Sequence, residues 1–388
     1  MNKSCLIGFL MCSAFSLVVQ AATDGAHITK TISQIERKKG IKRTIQYRPD
    51  GNDFVCVNGK NRYTRALYGG ITDFRIETSD RPVFAAYKPK DSKHICFRLQ
   101  CGNQSIALDS LKFCEARYRA GRRTYRLTDP LLGKGELNIS VLAFPDAEGG
   151  IWRFTMKDMP EGALLHCYIS EIRAKNLSRN GDMGADRADS FDAPQLPKEQ
   201  KHYKLSLDGT TAYIVVEDQE LRLPALVEGT SLYDKSEKWR SEIESSLQIS
   251  TPDPYFNPLG GALAAAADGI WDGKIWLHGA IGWRSQLNGW RAAYIGDFIG
   301  WHDRARTHFD SYAASQVTDV PATIPHPTQD TALHLARSVK KWGTPHYSNG
   351  YICRTPYRKD QMHHYDMNLC YIDELLWHFN WTGDLDYV

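Results

Sequence analysis

The chain has 388 residues, a length that predicts two or more domains. Its apolar share of 42% is normal for a globular protein, so the chain can bury sizeable cores. A net charge of +3, with 24% charged residues, favours neither a nucleic-acid partner nor a membrane-surface partner. The basic run at 36–43 has no interleaved aromatic residues and is interpreted as a solvated connection.

The N-terminus has the organisation of a secretory signal peptide. An apolar run from Cys5 to Val19 follows a positively charged start, and Ala21 and Ala22 provide a small-residue cleavage site. The run of about 15 residues is shorter than the roughly 20 needed to span a bilayer. We therefore expect residues 1–22 to be removed and the mature protein to be secreted or periplasmic, with no membrane span.

Seven of the nine cysteines lie outside this signal, and their spacing does not match a zinc site. Cys96 and Cys101 are close enough in sequence to form a disulfide in an oxidising compartment. The alternative is that both are small buried apolar side chains.

Residues 23–250 are predicted to form an antiparallel β-sandwich. From about residue 40, short alternating runs are separated by turn signals, a pattern typical of sandwiches. These signals are Pro49-Asp50-Gly51, Asn58-Gly59, Gly149-Gly150 and Asp208-Gly209. The segment 173–200 is polar, has little periodicity and is predicted to be a loop.

The pattern changes near residue 250, where a proline-rich stretch and an alanine run predict the start of a helical domain, 251–388. Two segments have apolar residues on one helical face. They are 304–316, with Ala305, Phe309, Tyr312 and Ala313, and 330–342, with Ala332, Leu335, Ala336, Val339 and Trp342.

A third helix is predicted over 366–381, which is apolar almost all round, as a helix buried on both sides would be. A narrow stripe along one side of this helix is more polar and contains Asp366, Cys370, Asp373 and Trp377. The two aspartates are either paired structurally or face a wet cavity.

Gly383 has the position of a residue that ends this helix, and Asp384 that of an N-cap. We therefore expect a further helix to begin at the end of the chain, as in a sequence cut from a longer protein.

Aromatic and titratable residues are concentrated after residue 270. Five of the ten tryptophans lie between 271 and 301, and nine of the thirteen histidines lie from 278 onward. Tryptophan faces are typical stacking surfaces for sugar rings, and Asp, Arg and His beside them can bind hydroxyl groups. The alternative is that the tryptophans are large core residues. The predicted substrate-binding residues are Trp283, Trp290, Arg291, Trp301, His302, Arg304, His364 and Asp366.

Cleavage of a glycosidic bond uses two carboxyl groups, one to protonate the leaving oxygen and one for water or the sugar. The candidates in this chain are Asp297, Asp303, Asp366, Asp373 and Glu374. Asp297 is preferred because Gly296 and Gly300 would permit a sharp loop and close approach of a ligand; a simple turn aspartate is the alternative. Asp303 is the second catalytic candidate, with a helix N-cap as its alternative.

No cofactor and no metal are predicted. His363, His364 and Asp366 could hold a metal, but no accompanying spacing of known metal sites supports it. The sequence contains no nucleophile elbow, phosphate-binding loop or dinucleotide-binding fingerprint.

Two segments resemble the six-hairpin glycosidase superfamily, secreted bacterial enzymes that include rhamnosidase-like families. They are GWRAAYIGDFIGWHDRARTHFDSYAASQ (289–316) and HYDMNLCYIDELLWHFNWTGD (364–384). The resemblance implies an α+β multidomain fold, with an N-terminal antiparallel β-sandwich followed by the first helical hairpins of an (α/α)6 barrel. It also implies sugar binding in the barrel and an acid/base pair of carboxyl groups, often with inversion. The chain has no "RDE…GW" arrangement of a rhamnosidase, so the resemblance identifies neither the sugar nor one catalytic residue.

We therefore expect a secreted glycoside hydrolase that acts on a polysaccharide or oligosaccharide, with carbohydrate as its partner. One alternative is a carbohydrate-binding protein without catalysis. Another is a polysaccharide lyase, in which Tyr365, His364 and Arg291 could serve as base and as neutralising groups. The sequence does not predict an oligomeric state.

Overall fold

The structure is a computed structural model. It describes residues 46–89, 91–175, 177, 202–289, 293–318, 328–330, 335–337, 350–356 and 365–388. The predicted signal at 1–22 and most of the predicted loop at 173–200 lie outside these residues.

The chain divides into two compact units. Of the described residues, the first unit comprises those within 46–69, 74–173 and 202–265, and the second comprises those within 70–73, 174–177 and 266–388. The order of sheets before helices confirms the predicted α+β organisation.

Two antiparallel sheets form most of the first unit. Their strands are β1 (Arg48–Asp50), β2 (Asp53–Val57), β3 (Arg65–Tyr68), β4 (Arg75–Thr78), β5 (Phe84–Lys88), β6 (Asp91–Cys101), β7 (Gln104–Ala107), β8 (Phe113–Arg119), β9 (Arg122–Thr128), β10 (Glu136–Ala143), β11 (Gly149–Lys157), β12 (Leu164–Glu171), β13 (Tyr203–Ser206), β14 (Thr211–Glu217) and β15 (Glu220–Arg222). The eight-stranded sheet has the order β1-β2-β8-β9-β10-β11-β14-β15. The seven-stranded sheet has the order β13-β12-β6-β5-β4-β3, with β7 paired to β6.

The two sheets share one apolar core, as expected of a sandwich. Trp152 of β11 is fully buried and packs edge-on against Phe84 of β5, with ring centroids 5.7 Å apart. Strands β8 and β9 bury every second residue, which is the period of two that a half-buried strand requires. Cys96 and Cys101 both lie on β6 as free thiols, so the disulfide alternative is not realised.

The predicted turns are largely confirmed. Gly51, between β1 and β2, has φ +59°, and Asn58, after β2, has φ +50°. The prediction for Gly149 and Gly150 is wrong, because both lie inside β11. Gly150 is needed there for space: a Cβ would lie 2.2 Å from Cδ1 of Ile76.

The β prediction is also wrong for residues 226–245, which form helix α1 (Leu226–Ser245) of the first unit. Tyr233 of α1 shares a 2.7 Å hydrogen bond with Ser140 of β10, and the Arg153 guanidinium lies 3.9 Å from the centre of its ring. Within the helix, Arg240 pairs with Glu residues at i−3 and i+4. Ion pairs at these spacings stabilise a helix. The alternation of apolar and polar residues used for the β prediction does not detect them.

The second unit contains helices and one small hairpin. Helix α2 (Leu259–Gly269) crosses the boundary between the units; α3 (Tyr294–Phe298), α4 (His302–Ala313) and α5 (Tyr365–Thr382) follow, with strands β16 (Thr328–Asp330) and β17 (Leu335–Arg337) between α4 and α5. Its apolar core includes Trp276, Ala305, Phe309, Tyr312 and Tyr371. In the described part of the chain, no helix has the length and apolar character that a membrane crossing requires.

Helix α4 confirms the prediction over 304–316, with three differences. The helix begins at His302 and ends at Ala313, whose side chain is exposed rather than buried. Asp303 is not the N-cap; that position belongs to Trp301, which makes no side-chain capping bond. Asp303 instead lies exposed in the first turn, where a negative charge interacts favourably with the helix dipole.

The prediction of a helix over 330–342 is wrong for residues 335–337. These residues form β17, which pairs antiparallel with β16. Helical spacing of a few apolar residues shows only which face of a helix would be apolar, and a three-residue strand is too short for its own period to be visible.

Helix α5 confirms the helix at 366–381 but not its burial on both sides. Met367, Tyr371, Glu374 and His378 form the buried face, while Leu369 on the other side is 70% exposed. The helix ends as predicted, with Gly383 at φ +69°. Oδ1 of Asp384 then accepts a hydrogen bond from the Tyr387 amide, which is the N-cap interaction that the sequence predicted.

Candidate functional site

A cavity of about 330 Å³, called the cleft below, lies in the second unit. Helices α3 and α5 supply its lining: Tyr294, Ile295, Asp297, Phe298, Glu374, Trp377 and Trp381. Two carboxyl groups and four aromatic side chains therefore share one concave surface.

Two glycines set the path of the backbone around Asp297. Gly296 is packed against the ring of Trp276, and a Cβ at this position would lie 2.2 Å from Cη2 of that ring. Gly300 has φ +81°, which lets the chain turn from α3 into α4. The predicted sharp loop is therefore found at Gly300, whereas Gly296 makes room for a core tryptophan and not for a ligand.

Asp297 is buried and lies between two histidines. Its carboxylate is 4% exposed, and Nδ1 of His302 lies 2.7 Å from Oδ1. Nδ1 of His378 lies 2.9 Å from Oδ1 and 3.0 Å from Oδ2. Two imidazole N–H groups directed at one carboxylate stabilise its negative charge and fix its orientation.

The two histidines differ in their surroundings. His378 is fully buried, and its ring meets those of Phe309 and Tyr387 edge-on at 5.7 and 5.3 Å. The side chain of His302 is 41% exposed. Only His302 is therefore open to solvent while it contacts Asp297.

Glu374 is the second carboxyl group of the cleft, and its side chain is 2% exposed. It lies four residues before His378 on α5, so both side chains belong to the same helical face. Glu374 therefore lines the cleft from the helix that also delivers His378 to Asp297.

Tyr294 and Asp373 form a polar link between α3 and α5 at the cleft. The Tyr294 hydroxyl donates a 2.5 Å hydrogen bond to Oδ2 of Asp373. Burial, together with this hydrogen bond, raises the pKa of Tyr294, so the phenol stays protonated and acts as a donor. Of the two alternatives left open for Asp373, structural pairing and a wet cavity, this hydrogen bond shows the first.

Trp377 and Trp381 are one helical turn apart on α5, and each is 49% exposed. Trp381 packs edge-on against Phe298 at 6.0 Å between ring centroids. The cleft therefore has partly exposed aromatic rings, as sites that bind sugar rings do.

The structure brings together some of the predicted site residues. Asp297 and His302 are in contact, as described above. Trp283, Trp301, Asp303, Arg304 and Asp366 are described but are not among the seven lining residues of the cleft. Trp290, Arg291 and His364 lie outside the described residues.

Arg304 has a structural partner of its own. It pairs with the carboxylate of buried Asp268 at 2.7 Å, and its guanidinium lies 4.2 Å from the centre of the Trp301 ring. Burial raises the pKa of Asp268, and Arg304 acts in the opposite direction. Arg304 therefore holds a carboxylate of the protein itself.

Sequence reasoning named Glu374 as a candidate carboxyl group but missed His378, Tyr294 and Trp381. A signal for His378 existed, since Glu374 and His378 are a polar pair at i and i+4 within a largely apolar helix. The stripe singled out instead, which includes Asp366 and Trp377, lies largely on the exposed side of α5.

Residues 89–216 match the model of a domain of unknown function (DUF4450). The match covers strands of both sheets and ends before α1, so the cleft lies outside it. No curated protein matches the chain.

Proposed function

We propose that this protein is a glycoside hydrolase that binds its carbohydrate substrate in the cleft. The proposal rests on one observation: two buried carboxyl side chains, Asp297 and Glu374, line the same cavity as the exposed rings of Trp377 and Trp381. Hydrolysis of a glycosidic bond requires such a pair of carboxyl groups. The tryptophans offer flat surfaces for stacking of the sugar.

The surroundings of the two carboxyl groups assign them different roles. Asp297 contacts two imidazoles, which hold its carboxylate in place, and it is proposed to activate water as the base. Glu374 is buried in the lining of the cleft that also contains Trp377 and Trp381, and it is proposed to protonate the leaving oxygen. Of the two aspartates named from sequence, Asp297 keeps its role and Glu374 replaces the exposed Asp303.

The fold and location of the enzyme belong to the same proposal. The proposed fold is that of the six-hairpin glycosidases, with α4 and α5 among the helices of an (α/α)6 barrel. The N-terminal sequence supports export to the periplasm or the medium. A carbohydrate-binding protein without catalysis is the second candidate, because the aromatic rings of the cleft serve binding as well as hydrolysis.

The test is to incubate the protein with a panel of plant and host glycans and to measure reducing ends and unsaturated products. Glu374→Gln and Asp297→Asn are each expected to lower turnover at least about 100-fold, the usual minimum effect of losing a general acid or base. Asp386→Asn, which changes an exposed carboxylate in the same unit, is the matched control.

Each result of the test has a defined meaning. Reducing ends without unsaturation support hydrolysis, and unsaturated products support a lyase. Glycan binding without either product supports the carbohydrate-binding candidate. Turnover of both cleft variants within about threefold of the wild type would exclude these two residues as the catalytic pair.

A further inference from the structure

We propose that Asp297, His302 and His378 form a binding site for a divalent transition-metal ion such as Zn²⁺. Among the described residues, one ligand atom from each of the three lies within 4.8 Å of the other two. Two imidazoles and one carboxylate are a donor set that suits zinc and its neighbours. Calcium and magnesium prefer oxygen donors alone, so the two histidines disfavour them.

The distances fit an ion after a small adjustment. The Nδ1 atoms lie 2.7 and 2.9 Å from Oδ1 of Asp297. Ligand atoms that share a tetrahedral zinc ion at about 2.1 Å are roughly 3.4 Å apart. Outward movement of the side chains by a few tenths of an ångström would therefore open the site.

Charge supplies an independent argument. In the part of the chain that the structure describes, the ion-pair partners of Asp297 are His302 and His378, which are neutral when deprotonated. Asp268, equally buried in the same unit, pairs instead with Arg304. A buried carboxylate requires a compensating charge. A divalent cation between Asp297 and the two imidazoles would supply it.

The three ligands lie on separate helices and differ in their exposure to solvent. Asp297 lies on α3, His302 at the start of α4 and His378 on α5. Asp297 and His378 are buried, whereas His302 is partly exposed and gives an ion a route from solvent. Three protein ligands leave a fourth position open in a tetrahedral site.

Metal binding would change the tautomer of both histidines. Each Nδ1 must present a lone pair to the ion, so the proton of the neutral ring moves to Nε2. Nε2 of His378 has no hydrogen-bond partner among the described residues, and the ring packs edge-on against those of Phe309 and Tyr387.

The test measures metal binding directly, without a glycan. Tag-free protein is stripped with a chelator, and Zn²⁺ is titrated by calorimetry; Co²⁺ is then added and its visible absorption recorded. We expect one ion per chain and a Co²⁺ spectrum of nitrogen and oxygen ligation, without the intense bands of thiolate coordination. Changes to residues around metal ligands cost 10–100-fold in affinity, so losing a direct ligand in Asp297→Asn or His302→Ala should cost at least about 100-fold.

His302→Ala is the decisive variant, because a partly exposed side chain can be removed with less risk to folding than buried His378. Its matched control is His278→Ala, which removes a half-buried histidine of the same unit and should leave binding unchanged. Absence of Zn²⁺ binding in the wild type, or equal binding in His302→Ala, would overturn the proposal. Asp297 would then be a carboxylate that the two histidines hold by hydrogen bonds alone. The site shares Asp297 with the cleft, but metal binding and hydrolysis are measured separately, so either can fail alone.

Discussion

At the scale of single residues, His308 shows how an imidazole is kept neutral in the second unit. It is buried on α4, where its Nδ1 accepts a 3.1 Å hydrogen bond from the Trp276 amide. Burial lowers the pKa of His308 from 6.5 to about 3. The folded protein therefore holds this ring without a proton over a range in which the unfolded chain binds one.

This difference predicts a loss of stability in acid. Because the unfolded chain binds a proton below pH 6.5 and the folded chain does so only near pH 3, His308 favours unfolding increasingly as pH falls between these values. At about pH 4.5 the loss should approach 2–3 kcal/mol of unfolding free energy. Urea unfolding of the wild type and of His308→Asn at pH 7 and at about pH 4.5 measures it. The variant is expected to be less stable at pH 7 but less sensitive to acid; an equal acid sensitivity of the two proteins would contradict this account.

At the scale of elements, helix α3 depends on a close approach between its backbone and the ring of Trp276. Gly296 provides the space, and Trp276 is fully buried in the core of the second unit. The short helix that carries Asp297 is therefore placed by packing against a tryptophan, and not by the ligand approach that the glycine suggested in the sequence.

Gly296→Ala tests this packing. The added Cβ would lie 2.2 Å from the Trp276 ring, so α3 or the ring must move. Overpacking of a core usually costs about 1–3 kcal/mol, and we expect a loss of that size in denaturant unfolding followed by tryptophan fluorescence. Gly209→Ala is the control, because a Cβ at Gly209 meets open space and its φ is not positive. If both variants unfold at the same denaturant concentration as the wild type, the close packing of α3 on Trp276 is not a constraint.

Those features of the whole molecule that depend on local patterns could be predicted from the sequence. The alternation of apolar and polar residues predicted strands such as β11, and the spacing of Ala305, Phe309 and Tyr312 predicted α4 and its buried face. The meeting of Asp297 with His378 could not be predicted, because 81 residues separate them and helical spacing alone does not show what a helix packs against. The buried polar face of α5 was missed for the same reason: its neighbours, and not its own pattern, make Glu374 and His378 the inner side.

The two units differ in how their buried ionisable groups respond to acid, and this predicts an order of unfolding. The first unit pairs buried carboxylates with arginines, such as Asp80 with Arg123 and Glu77 with Arg75, and arginine keeps its charge at any relevant pH. The second unit buries His308, a neutral imidazole whose pKa is lowered by burial.

We therefore expect the second unit to open first near pH 5, where His308 alone contributes about 2 kcal/mol of lost stability. Burial shifts the pKa of His166 in the first unit in the same direction, but less. Hydrogen exchange read by mass spectrometry, corrected for the intrinsic pH dependence of exchange, should show that protection of α4 falls relative to that of β10. Equal losses in both elements would mean that the arginine pairs of the first unit provide no advantage in acid.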